Sequence, residues 1–168
     1  MHLAYQLKDY LFKIMQGNKL FLGGLANIAL KNSPPIGFFK SFVVEKTGAH
    51  KNQLNIKVKG TALIVDLIRL FAFEKGIKET STFDRINVLR CIHAIVKDFA
   101  DEIIFSFDFL MVLRIENQLS NIEKGIEPQN FIEPQLLSNL NKKMLKETFS
   151  LISKIQDMVL ERYKTMIL

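Results

Sequence analysis

The 168-residue sequence contains a single cysteine, Cys91, and therefore cannot form an internal disulfide. Its place between Leu89 and Ile92 in a helical pattern predicts a buried structural thiol. Long hydrophobic runs are also missing, because the longest uncharged apolar stretch, residues 20–30, is well short of the ~20 residues of a membrane-spanning helix. Lys8 and Asp9 interrupt what would be the apolar part of a secretory signal. We therefore expect no membrane segment and a cytoplasmic location.

Motifs of common active sites are missing as well. His2, His50 and His93 lie far apart, and none has a cysteine, histidine or carboxylate at a metal-ligand spacing on the same helix, so no metal site is predicted. The sequence has no G-x-S-x-G turn, and the pair Gly23-Gly24 lacks the lysine of a phosphate-binding loop. We expect a chain that is not catalytic alone and binds no cofactor of its own.

Acidic residues are scarce in the first 60 residues, which hold nine lysines but only Asp9 and Glu45. Residues 61–168 hold 14 basic and 15 acidic residues, so the net charge of +6 arises from the amino-terminal third. Such a bias can attract phosphate, an acidic protein surface or nucleic acid. The lysines are scattered singly and are not interleaved with aromatic residues, which argues against a nucleic-acid module and favours a solvated face.

The composition that remains is typical of a globular domain, with 48% hydrophobic and 24% charged residues. The length fits one domain, residues 1–168, with a core of ordinary size. A mean hydropathy of +0.13 and 14 phenylalanines are high for a domain that stands alone. We therefore expect part of the apolar surface to face another protein or domain.

Apolar residues at helical spacing predict an all-α bundle of about six helices. The predicted helices cover residues 3–15, a stretch ending at Leu30, residues 60–75, a stretch from Ser81 to about Lys97, residues 98–124 and a stretch beginning near Pro134. Gly17, Gly76 and Gly125 stand where three of these helices should end. Two runs with β propensity flank the turn KTGAHKN, which makes one short β-hairpin near residues 41–58 an option.

Polar residues stand in two places where the pattern predicts a core. Asp66 and Arg69 interrupt an apolar segment, and the apolar face of the predicted fifth helix leads on to Arg114 and Gln118. A buried guanidinium needs a partner, and an internal ion pair with Asp66 or Asp84 would provide one. The alternative is a cleft in which Arg69, Arg85 and Arg114 converge on an anionic ligand and Gln118 adds a hydrogen bond. Spacing alone favours the ion pair.

Seven segments in order carry a family resemblance: LFLGGLANIAL, PPIGFF, LNIKVKG, IVDLIRLFAF, TSTFDRINVL, FDFLMVLRIENQL and NFIEPQLLSNLNKKMLKETFSLISKIQ. Over about residues 20–160 the chain resembles the substrate-binding domain of bacterial nucleotidyltransferase-like signalling proteins. In that family the helical domain follows a catalytic domain related to the PII uridylyltransferase. CBS or cyclic-nucleotide-binding domains often lie upstream.

The resemblance also implies site residues. The family's "DLK…G" element falls on Lys57 and Gly60, its helix arginine on Arg69, its "T..RL" element on Thr82, Arg85 and Ile86, and its "R..HQ" element on Arg114 and Gln118. Lys57 and the three arginines are expected to contact anionic groups, while Thr82 and Gln118 fix the geometry. Asn55 stands where the family usually has aspartate and Asn117 where it has histidine, so neither position can provide the acid or the titratable donor.

The catalytic motifs of the family are absent, since neither Gly-Ser nor Asp-x-Asp occurs in the sequence. In nucleotidyltransferases two carboxylates hold the divalent metals that neutralise the triphosphate. The resemblance therefore implies a catalytic domain in cis that holds Mg²⁺, with residues 1–17 as the helix linking the two domains. The expected partners are that domain and a nucleotide or anionic acceptor. The alternative is a helical interaction or dimerisation module, with a second copy of the chain as its partner.

Overall fold

Helices dominate the computed structural model, which describes residues 2–37, 41–92 and 97–164. The α-helices in these ranges are α1 (His2–Met15), α2 (Lys19–Leu30), α3 (Ala62–Glu74), α4 (Thr82–Cys91), α5 (Ala100–Glu123) and α6 (Asn139–Tyr163). Short 3₁₀ turns, Lys97–Phe99 and Pro134–Leu136, precede α5 and α6. The predicted all-α class with about six helices is confirmed.

The helix ends follow the local signals in the sequence. Gly17, Gly76 and Gly125 adopt φ values of 73°, 68° and 69°, a left-handed conformation that ends a helix at little cost for glycine. The side chain of Asn18 accepts a hydrogen bond from the Phe21 amide at 3.0 Å and so caps α2. Local chemistry therefore determines where these elements begin and end.

The fourth helix is shorter than predicted and ends at Cys91. Cys91 is exposed, so the prediction of a buried thiol was wrong. The buried face of α4 includes Ile86 and Leu89, and a residue two positions after Leu89 points to the opposite side of a helix. His93 and Val96, which the sequence placed on the same apolar face, lie outside the described residues.

The short sheet joins distant parts of the chain. Strand β1 (Leu54–Asn55) pairs antiparallel with β2 (Phe131–Ile132), so that Leu54 lies opposite Ile132. Within the region predicted as a hairpin, Glu45 and Gln53 are joined by a backbone hydrogen bond of 2.8 Å that closes the turn between them. Residues 38–40 of the predicted run lie outside the described ranges.

The chain divides into two compact units. The first comprises the described residues of Met1–Lys31, Val65–Asp101 and Ile155–Leu168. In this unit the ring of Phe73 lies edge-on to Phe12, with 5.6 Å between centroids, and 6.1 Å from Phe21. Gln156 on α6 donates from Nε2 to the carbonyl oxygen of Ala29 at 2.8 Å, which ties α6 to the end of α2.

The second unit comprises the described residues of Asn32–Ile64 and Glu102–Lys154. Its core includes a buried hydroxyl pair, Ser106 and Thr148, whose oxygens are 3.3 Å apart. Gly60 packs closely against α5, since a Cβ at this position would lie 3.3 Å from Cδ2 of Leu110. Gly60 belongs to the π-helix Lys57–Thr61, which leads into α3. A side chain at this position would have no room without movement of Leu110.

Some helices expose apolar faces. Leu3, Leu7, Leu11 and Ile14 of α1 are exposed, while Phe12 and Met15 are buried, so the apolar spacing predicted the helix but not its buried face. None of the helices in the described ranges combines the length and apolarity that crossing a membrane requires.

Candidate functional site

The six predicted site residues are divided equally between the two units. Arg69, Thr82 and Arg85 belong to the first unit, and Lys57, Arg114 and Gln118 belong to the second.

Arg69 forms an ion pair on α3. Its Nη1 lies 2.8 Å from Oδ1 of Asp66, one turn earlier on the helix, and 40% of the Arg69 side chain remains exposed. This contact explains why two charges occur in the otherwise apolar segment 62–73. Burial raises the pKa of the Asp66 carboxyl above its ordinary value of 3.8, and the charge of Arg69 lowers it by a smaller amount.

Arg85 is the most deeply buried of the predicted cations, with 8% of the residue exposed. Its Nε donates to the backbone carbonyl oxygen of Glu79 at 2.7 Å, and its guanidinium lies 5.5 Å from the centroid of the Phe73 ring. Within the part of the chain that the structure describes, no carboxylate lies at salt-bridge distance from Arg85. A carbonyl and an aromatic face thus provide its stabilisation.

The charges of Arg69 and Glu79 both act on the Arg85 guanidinium. Burial lowers the pKa of the Arg85 guanidinium, the positive charge of Arg69 lowers it further, and the charge of Glu79 acts in the opposite direction. Asp66 already pairs with Arg69, whereas Arg85 has no carboxylate at salt-bridge distance in the described residues. Two of the three arginines expected at an anion site therefore lie in the first unit, and the charge of one acts on the other.

Thr82 lies beside Arg85 on α4. It is the first residue of the helix and is half-buried, and Arg85 follows it by three positions, so both residues lie on one face. Ser81 caps the helix, because its Oγ accepts a hydrogen bond from the Asp84 amide at 3.4 Å. The predicted start of this helix at Ser81 is confirmed.

Arg114 and Gln118 share a single acceptor in the second unit. Nε of Arg114 and Nε2 of Gln118 donate to Oδ1 of Asn130 at 2.6 Å and 3.2 Å. The carbonyl oxygen of Asn130 accepts from the Ile56 amide at 2.8 Å, next to the pairing of β1 and β2. Arg114 and Gln118 therefore position the segment that leads into β2.

The ion pair suggested for Arg114 is not formed. Within the described ranges, no carboxylate lies at salt-bridge distance from Arg114, and the amide oxygen of Asn130 satisfies it instead. Sequence analysis missed Asn130, which stands in a loop just before β2. An amide side chain directly before an apolar dipeptide is the one signal that could have indicated it.

The two departures from the family pattern have local explanations. Oδ1 of Asn55 accepts a hydrogen bond from the Val58 amide at 3.0 Å, which an aspartate oxygen could also accept. Nδ2 of Asn117 donates to the carbonyl oxygen of Gln129 at 3.1 Å, a bond that a histidine N–H could also make. Both positions serve the backbone, so asparagine replaces the usual residue without losing these contacts.

Lys57 is exposed at the start of the π-helix, and its carbonyl oxygen accepts from Oγ1 of Thr61 at 3.2 Å. The neighbouring Lys59 donates from Nζ to Oδ1 of Asn32 at 3.1 Å. Among the described residues, no group of three or more histidines, cysteines and carboxylates is arranged to hold a metal ion.

Comparison with known families identifies the class of domain. Residues 19–163 match the family described as "Putative nucleotidyltransferase substrate binding domain". The match covers most of the chain, and the chain belongs to this family, as the resemblance had implied. Searches of curated proteins and of solved structures gave no match.

Proposed function

We propose that this domain binds an anionic group of a nucleotide or of its acceptor through Arg69 and Arg85. The observation that supports the proposal is the buried Arg85 guanidinium, which repels Arg69 and has no carboxylate within salt-bridge distance in the described ranges. A phosphate placed against both cations would relieve this repulsion. It would also accept paired hydrogen bonds from a guanidinium, a geometry that phosphate oxygens match well.

Thr82 would contribute a hydroxyl on the same face of α4. The amino-terminal end of a helix also carries partial positive charge, which favours an anion near the first turn. Asp66 already neutralises part of the charge of Arg69, so the strongest unpaired attraction comes from Arg85. This division of roles makes Arg85 the main anion ligand and Arg69 the residue that sets the local field.

Lys57, Arg114 and Gln118 have other roles in the proposed function. Arg114 and Gln118 position the segment before β2 through Asn130, and a ligand contact would be an additional role. Lys57 is exposed and free to approach a negatively charged surface or ligand. These three residues are therefore the weaker candidates for direct substrate contact.

The wider function follows the family. We infer that the domain acts in cis with a nucleotidyltransferase catalytic domain related to the PII uridylyltransferase, in a bacterial cytoplasmic signalling protein that also carries CBS or cyclic-nucleotide-binding domains. That catalytic domain would provide the Asp-x-Asp pair and its Mg²⁺, since this chain has no such motif. The contribution of the helical domain would be to orient the substrate, and it would be inactive alone.

Binding measurements on the chain test the anion site directly. Isothermal titration calorimetry with a nucleoside triphosphate and with inorganic phosphate should show binding, and Arg85→Gln should weaken it by at least about tenfold. Arg90→Gln is the matched control, because Arg90 lies on the same helix but is paired with Asp101. If Arg85→Gln prevents folding, Arg69→Gln replaces it, since 40% of the Arg69 side chain is exposed. Equal losses in the Arg85 and Arg90 variants would contradict the proposal.

Exposed apolar side chains favour a second function, which is association with another protein chain. This is the alternative function that the sequence analysis gave. This function does not depend on the anion site. It requires a complementary surface.

A further inference from the structure

Arg69 and Arg85 each use only part of their guanidinium group within the chain. Arg85 donates from Nε to the carbonyl oxygen of Glu79 at 2.7 Å, and Arg69 donates from Nη1 to Oδ1 of Asp66 at 2.8 Å. Among the described residues, Nη1 and Nη2 of Arg85 and Nε and Nη2 of Arg69 have no hydrogen-bond partner. Each arginine therefore keeps one pair of neighbouring N–H groups unused.

The unused nitrogens of Arg85 reach solvent although the residue is buried. In the described ranges, the buried side-chain atoms without a hydrogen bond of acceptable geometry are Oε2 of Glu74 and Oη of Tyr163. Nη1 and Nη2 of Arg85 are not among them, so the 8% of Arg85 that is exposed includes this end of the guanidinium. An end-on pair of N–H groups matches two oxygens of a phosphate group. The fold thus leaves open the edge of Arg85 that an oxyanion would contact.

Arg69 is more exposed, and its position depends on Asp66. A long side chain that is 40% exposed keeps much of its rotamer freedom unless a contact restricts it. Asp66, one helical turn earlier and with 25% of its side chain exposed, contacts Nη1 and leaves the edge formed by Nε and Nη2 unoccupied. The ion pair therefore restrains the guanidinium of Arg69 without covering its side-on pair of N–H groups.

A contribution to stability does not account for this ion pair. Burial raises the pKa of the Asp66 carboxyl by more than the charge of Arg69 lowers it, so ionised Asp66 is less favourable in the folded chain than in water. An ion pair that does not offset the desolvation of its own carboxylate adds little to the free energy of unfolding. The presence of Asp66 in an apolar segment is better explained by its effect on Arg69.

We propose that Asp66 is a positioning residue of the anion site, which holds Arg69 by Nη1 so that the edge formed by Nε and Nη2 stays available to the bound anion. This inference rests on the proposed function, because it requires Arg69 and Arg85 to bind that anion. Arg85 remains the main ligand and offers its end-on pair of N–H groups, while Arg69 adds its side-on pair. Two such pairs suit a phosphate group, with its three acceptor oxygens, better than a carboxylate.

The opposite role for Asp66 would be competition with the ligand for Arg69. A carboxylate that occupied a whole edge of the guanidinium would block it, but Asp66 contacts Nη1 alone. An oxyanion can therefore bind to the free edge while the contact with Asp66 persists. The two roles differ in their outcome, since removal of the carboxylate weakens binding if Asp66 positions Arg69 and tightens binding if Asp66 competes.

Isothermal titration calorimetry of the full chain with inorganic phosphate separates these roles. Asp66→Ala should weaken binding by about three- to tenfold, because Arg69 is no longer held in place. Asp66→Asn should bind phosphate at least as tightly as the wild type, because its amide oxygen can accept the same hydrogen bond. Asp101→Ala is the matched control, since it removes the acidic partner of Arg90 in the same unit and should leave the affinity unchanged. Circular dichroism should show that each variant is folded.

A double-mutant cycle shows whether Asp66 acts through Arg69. In an Arg69→Gln background, Asp66→Ala should no longer change the affinity for phosphate, whereas the effect of a general structural role would persist. Tighter binding by Asp66→Ala, equal losses in the two backgrounds, or an Asp66→Asn variant as weak as Asp66→Ala would each overturn the positioning role and leave the anion site in place. A wild-type chain that does not bind phosphate, or whose affinity is unchanged by Arg85→Gln, would contradict the proposed function and this role with it.

Discussion

Arg162 donates two hydrogen bonds, from Nε and Nη2, to the single oxygen Oε1 of Glu74, at 3.2 Å and 2.8 Å. The contact joins the end of α6 to the end of α3 within the first unit. Burial acts to lower the pKa of Arg162, but the hydrogen bonds and the charge of Glu74 outweigh it and raise that pKa. The ion pair therefore favours the charged form of Arg162 in the folded chain.

Removing this arginine should lower the free energy of unfolding. Arg162→Ala leaves the mostly buried Glu74 carboxylate without its donor, and we expect a loss of about 1 kcal/mol in urea denaturation. Lys164→Ala serves as the control, because the pair of Lys164 with Glu161 is highly exposed and should contribute almost nothing. Equal effects of the two substitutions would show that the contact with Glu74 is not special.

Tyr163 should tolerate the loss of its hydroxyl. Its side chain is fully buried. Within the described residues neither its Oη nor Oε2 of Glu74 forms a hydrogen bond of acceptable geometry, although Glu74 and Arg162 lie close enough to change the Tyr163 pKa. Burial, with the nearby charge of Glu74, raises the pKa of the Tyr163 hydroxyl, so the group stays neutral. Tyr163→Phe removes an unsatisfied polar atom, and the free energy of unfolding should be unchanged or higher by up to about 1 kcal/mol. A loss of more than about 1 kcal/mol would reveal a hydrogen bond in solution.

Asn130 should be important for the stability of the second unit. Asn130→Ala deprives Arg114 and Gln118 of their common acceptor, and we expect a loss of about 2 kcal/mol in urea denaturation. Asn130→Asp retains the acceptor oxygen and adds a charge opposite Arg114, so it should keep most of the stability. If both variants lose stability equally, the backbone around Asn130 matters more than its side-chain oxygen.

The contribution of Asp66 to the free energy of unfolding should depend on pH. Its pKa is raised in the folded state, so the folded chain binds the proton more tightly than the unfolded chain. The resulting stabilisation is complete below the ordinary value of 3.8 and is lost as the pH rises through the folded-state pKa. Asp66→Asn should therefore gain stability relative to the wild type as the pH rises from about 3 to about 7. Unfolding curves at several pH values test this, and an opposite trend would mean that the pair with Arg69 outweighs burial.

The sequence predicted the features that depend on neighbours in the chain. The glycines at positions 76 and 125 correctly predicted two helix ends. The predicted start at Ser81 agrees with the start of α4. The ion pair of Asp66 with Arg69 could also be predicted, because the two residues are one helical turn apart. These features need no knowledge of the tertiary fold.

Long-range features were not predictable in the same way. The pairing of Leu54 with Ile132 joins segments separated by three helices, and no local pattern specifies it. The contacts of Asn130 with Arg114 and Gln118 bridge 16 and 12 residues across a loop and have no local signature either. Cys91 was misplaced for a different reason, because it follows the buried Leu89 by two positions and therefore lies on the opposite, exposed side of α4. For the candidate site, the sequence named Arg69 and Arg85, but only the structure showed that one charge acts on the other.

The exposed loop between α5 and β2 has a practical consequence. Gly125 ends the helix on one side, Asn130 anchors the strand on the other, and residues 124–129 are exposed throughout. The turn at Gly125 and the hydrogen bonds of Asn130 do not depend on the side chains between them. The loop should therefore accept an inserted sequence with little strain. A peptide epitope or a fluorophore-labelling tag placed after Glu127 would report on the chain in cells while leaving Arg69 and Arg85 chemically unchanged.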